Sequence, residues 1–332
     1  MVEPNTILMV VRGMSLKTEF RIGMATKSMA FGQDCKALVA GPGLDPHFLY
    51  YAISARTQQI LGIVDEAGHG TGRLNTDQLF AVPINVPGSA EQQAIAEVLG
   101  ALDDKIAANT ILATQITELA SLTYSASVKD LPTQAMSDVL VPVLGGTPTR
   151  SQTEFWTGSN LWASARDVTG AGSGVIVDTD EKISDAAVTN TKAKPLPAGS
   201  VILTARGTVG AVARLATASS FNQSCYGFAP GALPAGILYF AIVSATERAK
   251  AFAHGSVFDT ITMRTFDHLT VPTLLPSQMD QIEGQIQPLL DTITMSLQES
   301  RTLAATRDAL LPQLMSGKLR VKDAEKSLAG VL

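Results

Sequence analysis

Two stretches of the chain repeat apolar residues at alternating spacings of four and three, and this pattern predicts two long amphipathic helices. A lone helix of such length with an apolar seam needs a partner, so we expect the two to form an antiparallel coiled coil. Two independent surface helices are the alternative. The first seam comprises Ile95, Leu99, Leu102, Ile106, Asn109, Ala113, Ile116 and Ala120. The second comprises Ile286, Leu290, Ile293, Leu297, Ser300, Ala304, Arg307, Leu311 and Leu314.

Local signals mark the ends and the register of these helices. Ser89 with Gln92 three residues later predicts a capping box, and Gly317 predicts the end of the second helix. Pro288 predicts a kink or a delayed start of that helix. Asn109 and Arg307 are polar at seam positions, and we expect them to set the register by facing each other or a partner subunit.

Before the first helix and between the two helices, short apolar runs broken by glycine and proline predict mixed α/β regions. Residues 7–11 and 201–204 are predicted strands, and 48–60 is a short helix or a strand–helix element. Residues 68–72 are predicted to be a loop. The resulting division is 1–87, 88–127, 128–276, 277–317 and a tail of 318–332, in which each α/β domain is followed by a long helix.

The chain contains one pattern twice. Phe31-Gly-Gln-Asp-Cys35 returns as Phe221-Asn-Gln-Ser-Cys225, and Phe48-Leu-Tyr-Tyr-Ala-Ile returns as Ile237-Leu-Tyr-Phe-Ala-Ile. Pro87-Gly-Ser-Ala-Glu-Gln matches Pro276-Ser-Gln-Met-Asp-Gln. The offsets agree (225−35 = 190, 237−48 = 189, 276−87 = 189). We infer two copies of one unit, with pseudo-two-fold character and a ligand that also has two similar halves.

Composition narrows the class of protein. The 332 residues are 45% hydrophobic and 17% charged, which is typical of globular domains. A net charge of −5 argues against a free-standing, strongly basic nucleic-acid binder, although a local basic face remains compatible with it. Two cysteines at matching positions indicate small buried residues in a reducing compartment. With no visible signal peptide and no apolar run of membrane-spanning length, we expect a cytoplasmic protein.

Several ordered motifs resemble type I restriction–modification specificity subunits. They include Gly145-Gly-Thr-Pro, Phe155-Trp-Thr-Gly, Leu161-Trp-Ala-Ser, Leu196-Pro-Ala-Gly-Ser-Val-Ile-Leu-Thr, Arg206-Gly-Thr-Val-Gly and Arg307-Asp-Ala-Leu-Leu-Pro-Gln-Leu-Met-Ser-Gly-Lys-Leu. The resemblance covers nearly the whole chain. It implies two target-recognition domains joined by spacer helices, each domain reading half of a bipartite double-stranded DNA site. It further implies docking of two methylation subunits, which use S-adenosylmethionine. Restriction subunits that use ATP and Mg would join them.

The two copies differ in length. About 70 residues separate Ala135 from Arg206, but only 11 precede the matching Arg12, so the front portion of the second domain has no counterpart in the first. We expect a truncated subunit, an internal start, or a missing piece supplied by another polypeptide. An exposed sheet edge in the first domain would then favour self-association.

The resemblance and the local chemistry together give candidate DNA contacts. Hydroxyls and cations in loops suit phosphate oxygens, and an arginine can fork onto guanine. A solvated loop residue is the alternative in each case. The candidates in the second domain are Thr147, Thr149, Arg150, Arg166, Lys192, Lys194, Ser256, Thr260, Thr262 and Arg264. Those in the first domain are His69, Thr71 and Arg73.

Repeated polar positions allow two interpretations. Arg12 and Arg206 fit a structural role or a shared backbone contact, and Gln33 and Gln223 fit either buried hydrogen bonding or DNA contact. The two tryptophans fit core anchoring or, less readily, base stacking.

Enzymatic motifs are missing from the sequence: it contains neither an adenine-methylation motif, nor a phosphate loop, nor a metal-spaced His/Cys cluster. We therefore expect a non-catalytic DNA-recognition subunit that binds no cofactor or metal directly. The alternative is a helix-paired scaffold that docks methylation subunits or self-associates and reads one half-site. An unrelated duplicated enzyme is the third reading.

Overall fold

The structure is a computed structural model that describes residues 1–67, 70–252 and 260–328. The chain divides into two compact units. The first unit is Met1–Ala108 with Ser300–Leu332, and the second unit is Asn109–Glu299. This division follows compactness and cuts through both long helices, so the domain boundaries inferred from the sequence stay predictions.

The first unit opens with two small sheets and short helices. The strands are β1 (Ile7–Val10), β2 (Arg12–Gly13), β3 (Ile22–Met24), β4 (Cys35–Leu38), β5 (Val64–Ala67) and β6 (Thr71–Leu74). The helices are α1 (Pro46–Ser54), α2 (Thr57–Leu61), α3 (Thr76–Phe80) and the start of α4 (Ser89–Val128). One sheet has the order β3-β1-β4 and the other the order β2-β6-β5, with antiparallel pairing throughout.

The second unit is a larger mixed α/β domain. Its strands are β7 (Thr133–Ala135), β8 (Val143–Leu144), β9 (Asn160–Ala163), β10 (Val175–Ile176), β11 (Glu181–Ile183), β12 (Val201–Thr204), β13 (Val212–Leu215), β14 (Ser220–Phe221), β15 (Cys225–Phe228) and β16 (Thr270–Pro272). Its helices are α5 (Met136–Val139), α6 (Ala165–Gly170), α7 (Asp185–Asn190), α8 (Ala235–Phe252) and most of α9 (Pro276–Met315). The last helix of the chain, α10 (Val321–Leu328), belongs to the first unit. The sheets have the orders β10-β13-β12-β15-β8, β11-β9-β14 and β16-β7. The mixed α/β class is confirmed.

The internal repeat is visible in the backbone hydrogen bonds. In the first unit, Val11 N donates to Asp34 O at 2.8 Å, and Leu74 N donates to Val11 O at 2.9 Å. In the second unit, Ala205 N donates to Ser224 O at 2.8 Å, and Ile261 N donates to Ala205 O at 3.0 Å. The strand orders β3-β1-β4 and β13-β12-β15 also correspond. Positions can therefore be compared between the units on structural grounds.

The two long helices, α4 and α9, have 40 residues each, which corresponds to about 60 Å of helix. In the first unit, Leu99 and Leu102 of α4 share a core with Leu303 and Leu314 of α9. In the second unit, the later part of α4 shares a core with the earlier part of α9. The start of one helix thus packs with the end of the other, so the antiparallel pairing is confirmed and the alternative of independent helices is wrong.

The predicted seam of the second helix shifts toward its end. Leu303 and Leu310 are buried one residue before the predicted Ala304 and Leu311, which are half-buried, whereas the predicted Leu314 is buried. Aromatic residues of α1 and Ala324 of α10 contribute to the same core, so the buried face follows these extra neighbours. Pro288 does not delay the helix, which begins at Pro276.

Gln92 corrects the predicted capping box. Its side-chain amide donates to Pro87 O at 2.9 Å and Gly43 O at 3.2 Å, and its Oε1 accepts from Asp45 N at 2.9 Å. Gln92 is therefore occupied in tying the segment before α1 to α4, and it does not reach back to Ser89.

Asn109 and Arg307 do not face each other as predicted. Asn109 Nδ2 donates to Glu299 Oε2 at 2.7 Å, and Arg307 Nη1 donates to Asp103 Oδ1 at 2.6 Å. Each polar seam residue thus bonds the opposite helix within its own unit. Among the described residues, no helix is both long and apolar enough to cross a lipid bilayer.

Candidate nucleic-acid interface

The Gly145–Gly146 pair is a site of close backbone packing. Gly145 N donates to Cys225 O at 3.2 Å, and Gly146 N donates to Phe221 O at 2.9 Å. A Cβ atom would lie 2.1 Å from Asn222 O at Gly145 and 2.4 Å from the carbonyl carbon of Lys192 at Gly146. Glycine is needed at both positions because the chain passes directly against two other backbone segments.

Arg150, which follows this pair, has internal partners. Its guanidinium forks onto both carboxylate oxygens of Glu181 and stacks 3.7 Å from the ring centroid of Trp156. The hydrogen bond from Arg150 lowers the pKa of the Glu181 carboxyl. DNA contact by Arg150 stays a prediction, and this pairing counts against it because the guanidinium charge is already matched by Glu181 and its face is covered by Trp156.

The two tryptophans anchor the same corner. Trp162 is 2% exposed and donates to Gly146 O at 2.9 Å. Trp156 donates to Thr149 O at 3.3 Å and packs edge-on against Trp162, with ring centroids 5.0 Å apart. These contacts give both tryptophans a packing role.

The remaining candidates near this corner differ in how freely they can meet a ligand. Thr147 is half-buried and Thr149 is exposed. Arg166 is exposed in the first turn of α6, where it makes no ion pair with a described residue. Lys192 is exposed as well. Lys194 instead donates to Val188 O at 2.6 Å and Thr189 O at 2.9 Å, which caps the end of α7.

A polar cleft of about 430 Å³ lies in the first unit where Arg12, the first of the two repeated arginines, adjoins β4, β6 and α3. Arg12 on β2 and Arg73 on β6 are backbone partners in one ladder. Lys36 on β4 completes a set of three exposed cations, against the two carboxylates Asp34 and Asp77. No ion pair joins these five side chains to one another or to other described residues. The cleft therefore presents unpaired cations and amide or hydroxyl groups from Gln33, Asn75 and Thr76.

The second unit carries a corresponding surface at Arg206. We call this surface, together with the cleft around Arg12, the arginine edge. Arg206 is exposed directly after Ala205, whose backbone bonds match those of Val11. Thr262 begins the helical turn Met263–Asp267 with a capping box to Thr265, as Asn75 begins α3 with a side-chain cap. Arg264 is exposed in that turn, at the position of Asp77 in the first unit. The sequence candidates Thr260, Thr262 and Arg264 thus lie near the repeated arginine.

Some candidates lie in a different element from the one predicted, and others lie outside the described residues. Thr71 and Gly72 belong to strand β6, so the predicted loop at 68–72 was too long. Thr71 is half-buried there, and Arg73 is exposed on the same strand. His69 and Ser256 lie outside the described residues.

Sequence reasoning missed Lys36 and the two carboxylates of the cleft. Lys36 follows the repeated Cys35, but only the pairing of β4 with β1 shows that it lies close to Arg12. In the described ranges, no group of three or more His, Cys, Asp or Glu side chains is placed to hold a metal ion.

Comparison with known proteins identifies the family. The chain is 27% identical over 103 residues to the type I restriction enzyme EcoR124I/EcoR124II specificity subunit of Escherichia coli, covering 31% of this chain and 26% of that protein. It is 23% identical over 178 residues to the MjaIX specificity subunit of Methanocaldococcus jannaschii, covering 53% of this chain and 41% of that protein. The matches thus span about a quarter to two-fifths of these relatives.

Structural comparison agrees on the fold. The crystal structure of the type I restriction–modification S subunit from M. genitalium matches with a TM-score of 0.60 at 16% identity, over 95% of this chain and 84% of that one. The family described as type I restriction modification DNA specificity domain matches residues 6–118 and 140–304. These two ranges make up well over half of the chain, which therefore belongs to the family of type I restriction–modification DNA specificity domains.

Proposed function

We propose that this chain is the sequence-specific DNA-recognition subunit of a type I restriction–modification complex. Each unit reads one half of a bipartite double-stranded site, and partner subunits carry out adenine methylation and DNA cleavage there. The chain itself is non-catalytic. Its family membership and its duplicated architecture support this proposal.

The observation that carries it is the repeated arginine edge. Arg12 and Arg206 follow backbone positions that make the same two hydrogen bonds in each unit, and both are exposed. Arg73 and Lys36 accompany Arg12. Arg264 accompanies Arg206 from a different position, that of Asp77 in the first unit. A cation that follows equivalent backbone positions in two copies suits the DNA backbone, which is the same at both half-sites. Side chains that differ between the copies, such as Arg166, would then read bases.

Partner docking has its own support on α4. Ile111, Leu112, Leu119 and Leu122 are 59%, 41%, 52% and 62% exposed, and their spacing puts them on one face of the helix. An exposed aliphatic stripe of this kind marks a protein interaction site. We assign it to a methylation subunit, which would hold S-adenosylmethionine. ATP and Mg would be held by restriction subunits, and this chain would bind none of these cofactors directly.

The decisive experiment maps methylated adenines in a host that expresses the chain with its methylation subunit. An asymmetric bipartite motif is the expected result. A palindrome built from one repeated half-site would favour the scaffold alternative, in which copies self-associate and one unit reads DNA. A stable complex that methylates nothing would overturn the recognition proposal.

Variants of the arginine edge test the proposed phosphate contacts. Arg206→Ala with Arg264→Ala should weaken DNA binding about equally on all sequences and reduce the slope of log affinity against log salt by about 2, since each lost phosphate contact removes about 0.9. Lys129→Ala, an exposed cation beyond the end of α4, is the matched control and should leave the slope unchanged. Unchanged slopes in both would contradict the assignment.

A further inference from the structure

An apolar cavity of about 240 Å³ opens on the first unit between the β3-β1-β4 sheet, α1 and α3. Its lining includes Met9, Leu38, Leu49, Ile53, Leu79 and Ile84. Val39 and Phe80 also line it, and they are 71% and 66% exposed. Large apolar side chains at such exposure, around a cavity already lined by apolar groups, are costly to leave in water.

The corresponding place in the second unit is filled. Leu38 corresponds to Phe228, since each ends the strand paired with the centre of its sheet. Leu79 corresponds to Phe266, since each lies four residues after the residue that caps its helical turn. Phe228 and Phe266 pack edge-on and share one core with Met136 and Leu140, which are 0% and 5% exposed. The second unit therefore fills this place with larger aromatic side chains and with Met136 and Leu140.

The segment Thr133–Leu140, which supplies these two side chains, also completes a strand pair. Strand β7 pairs antiparallel with β16, with Gln134 opposite Val271, and Met136 N donates to Leu269 O at 2.7 Å. Val82–Pro83 is the counterpart of Val271–Pro272 in the first unit, and it pairs with no strand among the described residues. In the first unit Val82 N donates locally to Leu79 O at 3.2 Å, so this unit has the cavity and a segment without a partner strand at the place that Thr133–Leu140 occupies in the second.

The residues at the rim of the cavity indicate what kind of segment would fill it. Val39 and Phe80 correspond to Ala229 and Asp267 in the second unit, where the segment is already seated. Arg56 adds one cation to the lining. A segment with an acidic residue between two aliphatic ones would match it, as Asp138 lies between Met136 and Leu140.

We propose that this cavity is a peptide-binding socket for a partner polypeptide. The bound segment has the chemistry of Thr133–Leu140: extended residues that pair with Val82–Pro83, then one helical turn that presents two aliphatic side chains four residues apart. An aliphatic cavity of about 150 Å³ already binds an apolar molecule the size of benzene, so 240 Å³ is ample for such side chains. The inference goes beyond DNA recognition and does not depend on it.

The test measures, by fluorescence anisotropy, the binding of a labelled peptide with the sequence of residues 131–142 to the full chain. We expect saturable binding. A peptide carrying Met136→Asp and Leu140→Asp should bind at least tenfold more weakly. In the protein, Leu38→Phe with Leu79→Phe copies the second unit and fills the cavity, so it should weaken binding of the unmodified peptide at least tenfold.

The remaining outcomes are equally decisive. Absence of saturable binding at millimolar peptide would overturn the proposal. Binding that the two phenylalanines leave unchanged would also overturn it, because the peptide would then be replacing its own copy in the second unit. If the filled variant fails to fold, Phe80→Glu at the rim should give the same loss. No DNA is used, so failure here leaves the proposed DNA recognition standing.

Discussion

Arg307 of α9 donates through Nη1 to Oδ1 of Asp103 on α4 at 2.6 Å, and this pair joins the two long helices inside the first unit. Tyr51 of α1 donates to the other carboxylate oxygen of Asp103 at 2.7 Å. Arg307 also contacts Asp308 on its own helix. Both oxygens of Asp103 are thus used, and three helices meet at one carboxylate.

Arg307→Ala should destabilise the chain by about 1–3 kcal/mol, because it leaves a largely covered carboxylate without its cation. The side chains of Arg307 and Asp103 are 29% and 30% exposed, so the loss should stay below that of a fully buried pair. Chemical denaturation measures it. Asp308→Ala is the control: its side chain is 64% exposed, and an equal loss there would contradict a special role for Asp103.

Stability should depend on Tyr51 at alkaline pH. Burial, and then the hydrogen bond to Asp103, raise the pKa of Tyr51 above its ordinary value. The protonated tyrosine is therefore favoured by folding, and its contribution is present below about pH 10 and is lost as the pH rises further. Tyr51→Phe should be less stable than the parent at pH 8, and the difference should shrink above pH 10. A constant difference across this range would refute the assignment.

Gly145→Ala or Gly146→Ala should cost about 2–4 kcal/mol, since the added Cβ meets backbone atoms that cannot move independently. Thermal unfolding compares each variant with the parent. Gly170→Ala, where nothing lies within 4 Å of the added atom, should change stability by less than about 1 kcal/mol. Equal effects at the three sites would show that the close packing is unimportant.

Leu119→Glu with Leu122→Glu should abolish co-purification with the methylation subunit while leaving the chain folded, because both side chains are exposed. Circular dichroism and pull-down measure the two properties. Thr114→Glu, an exposed position elsewhere around α4, is the control and should retain the partner. Retention by the double variant would remove the stripe as the docking surface.

Local patterns predicted the regular elements well. The seam through Leu99 and Leu102 correctly indicated a helix that pairs, and the strand at Val201–Thr204 was confirmed. The apolar spacing contains this information because burial of one helix face repeats with the helical period. The exact seam near Leu303 and Leu310 was not predictable, because α1 and α10 share that core.

The candidate DNA interface was predictable only in part. The sequence singled out Arg12 and Arg206 as a repeated pair, and the structure placed them in matching backbone settings. It also singled out Arg150 and Lys194, whose donors the structure assigns to Glu181 and to the end of α7. A sequence motif does not distinguish a cation that meets a ligand from one that stabilises its own fold.

The amino-acid sequence by itself determined the duplication and the paired helices, because each rests on spacings that recur along the chain. The resemblance to the family rested on its ordered motifs. Only the tertiary structure decided which charges have internal partners and which surfaces stay open. Glu181 lies 31 positions from Arg150, and Met136 fills a place that stays open beside Leu38 in the other copy. Such relations depend on which distant segments fold against each other, and no local pattern records that.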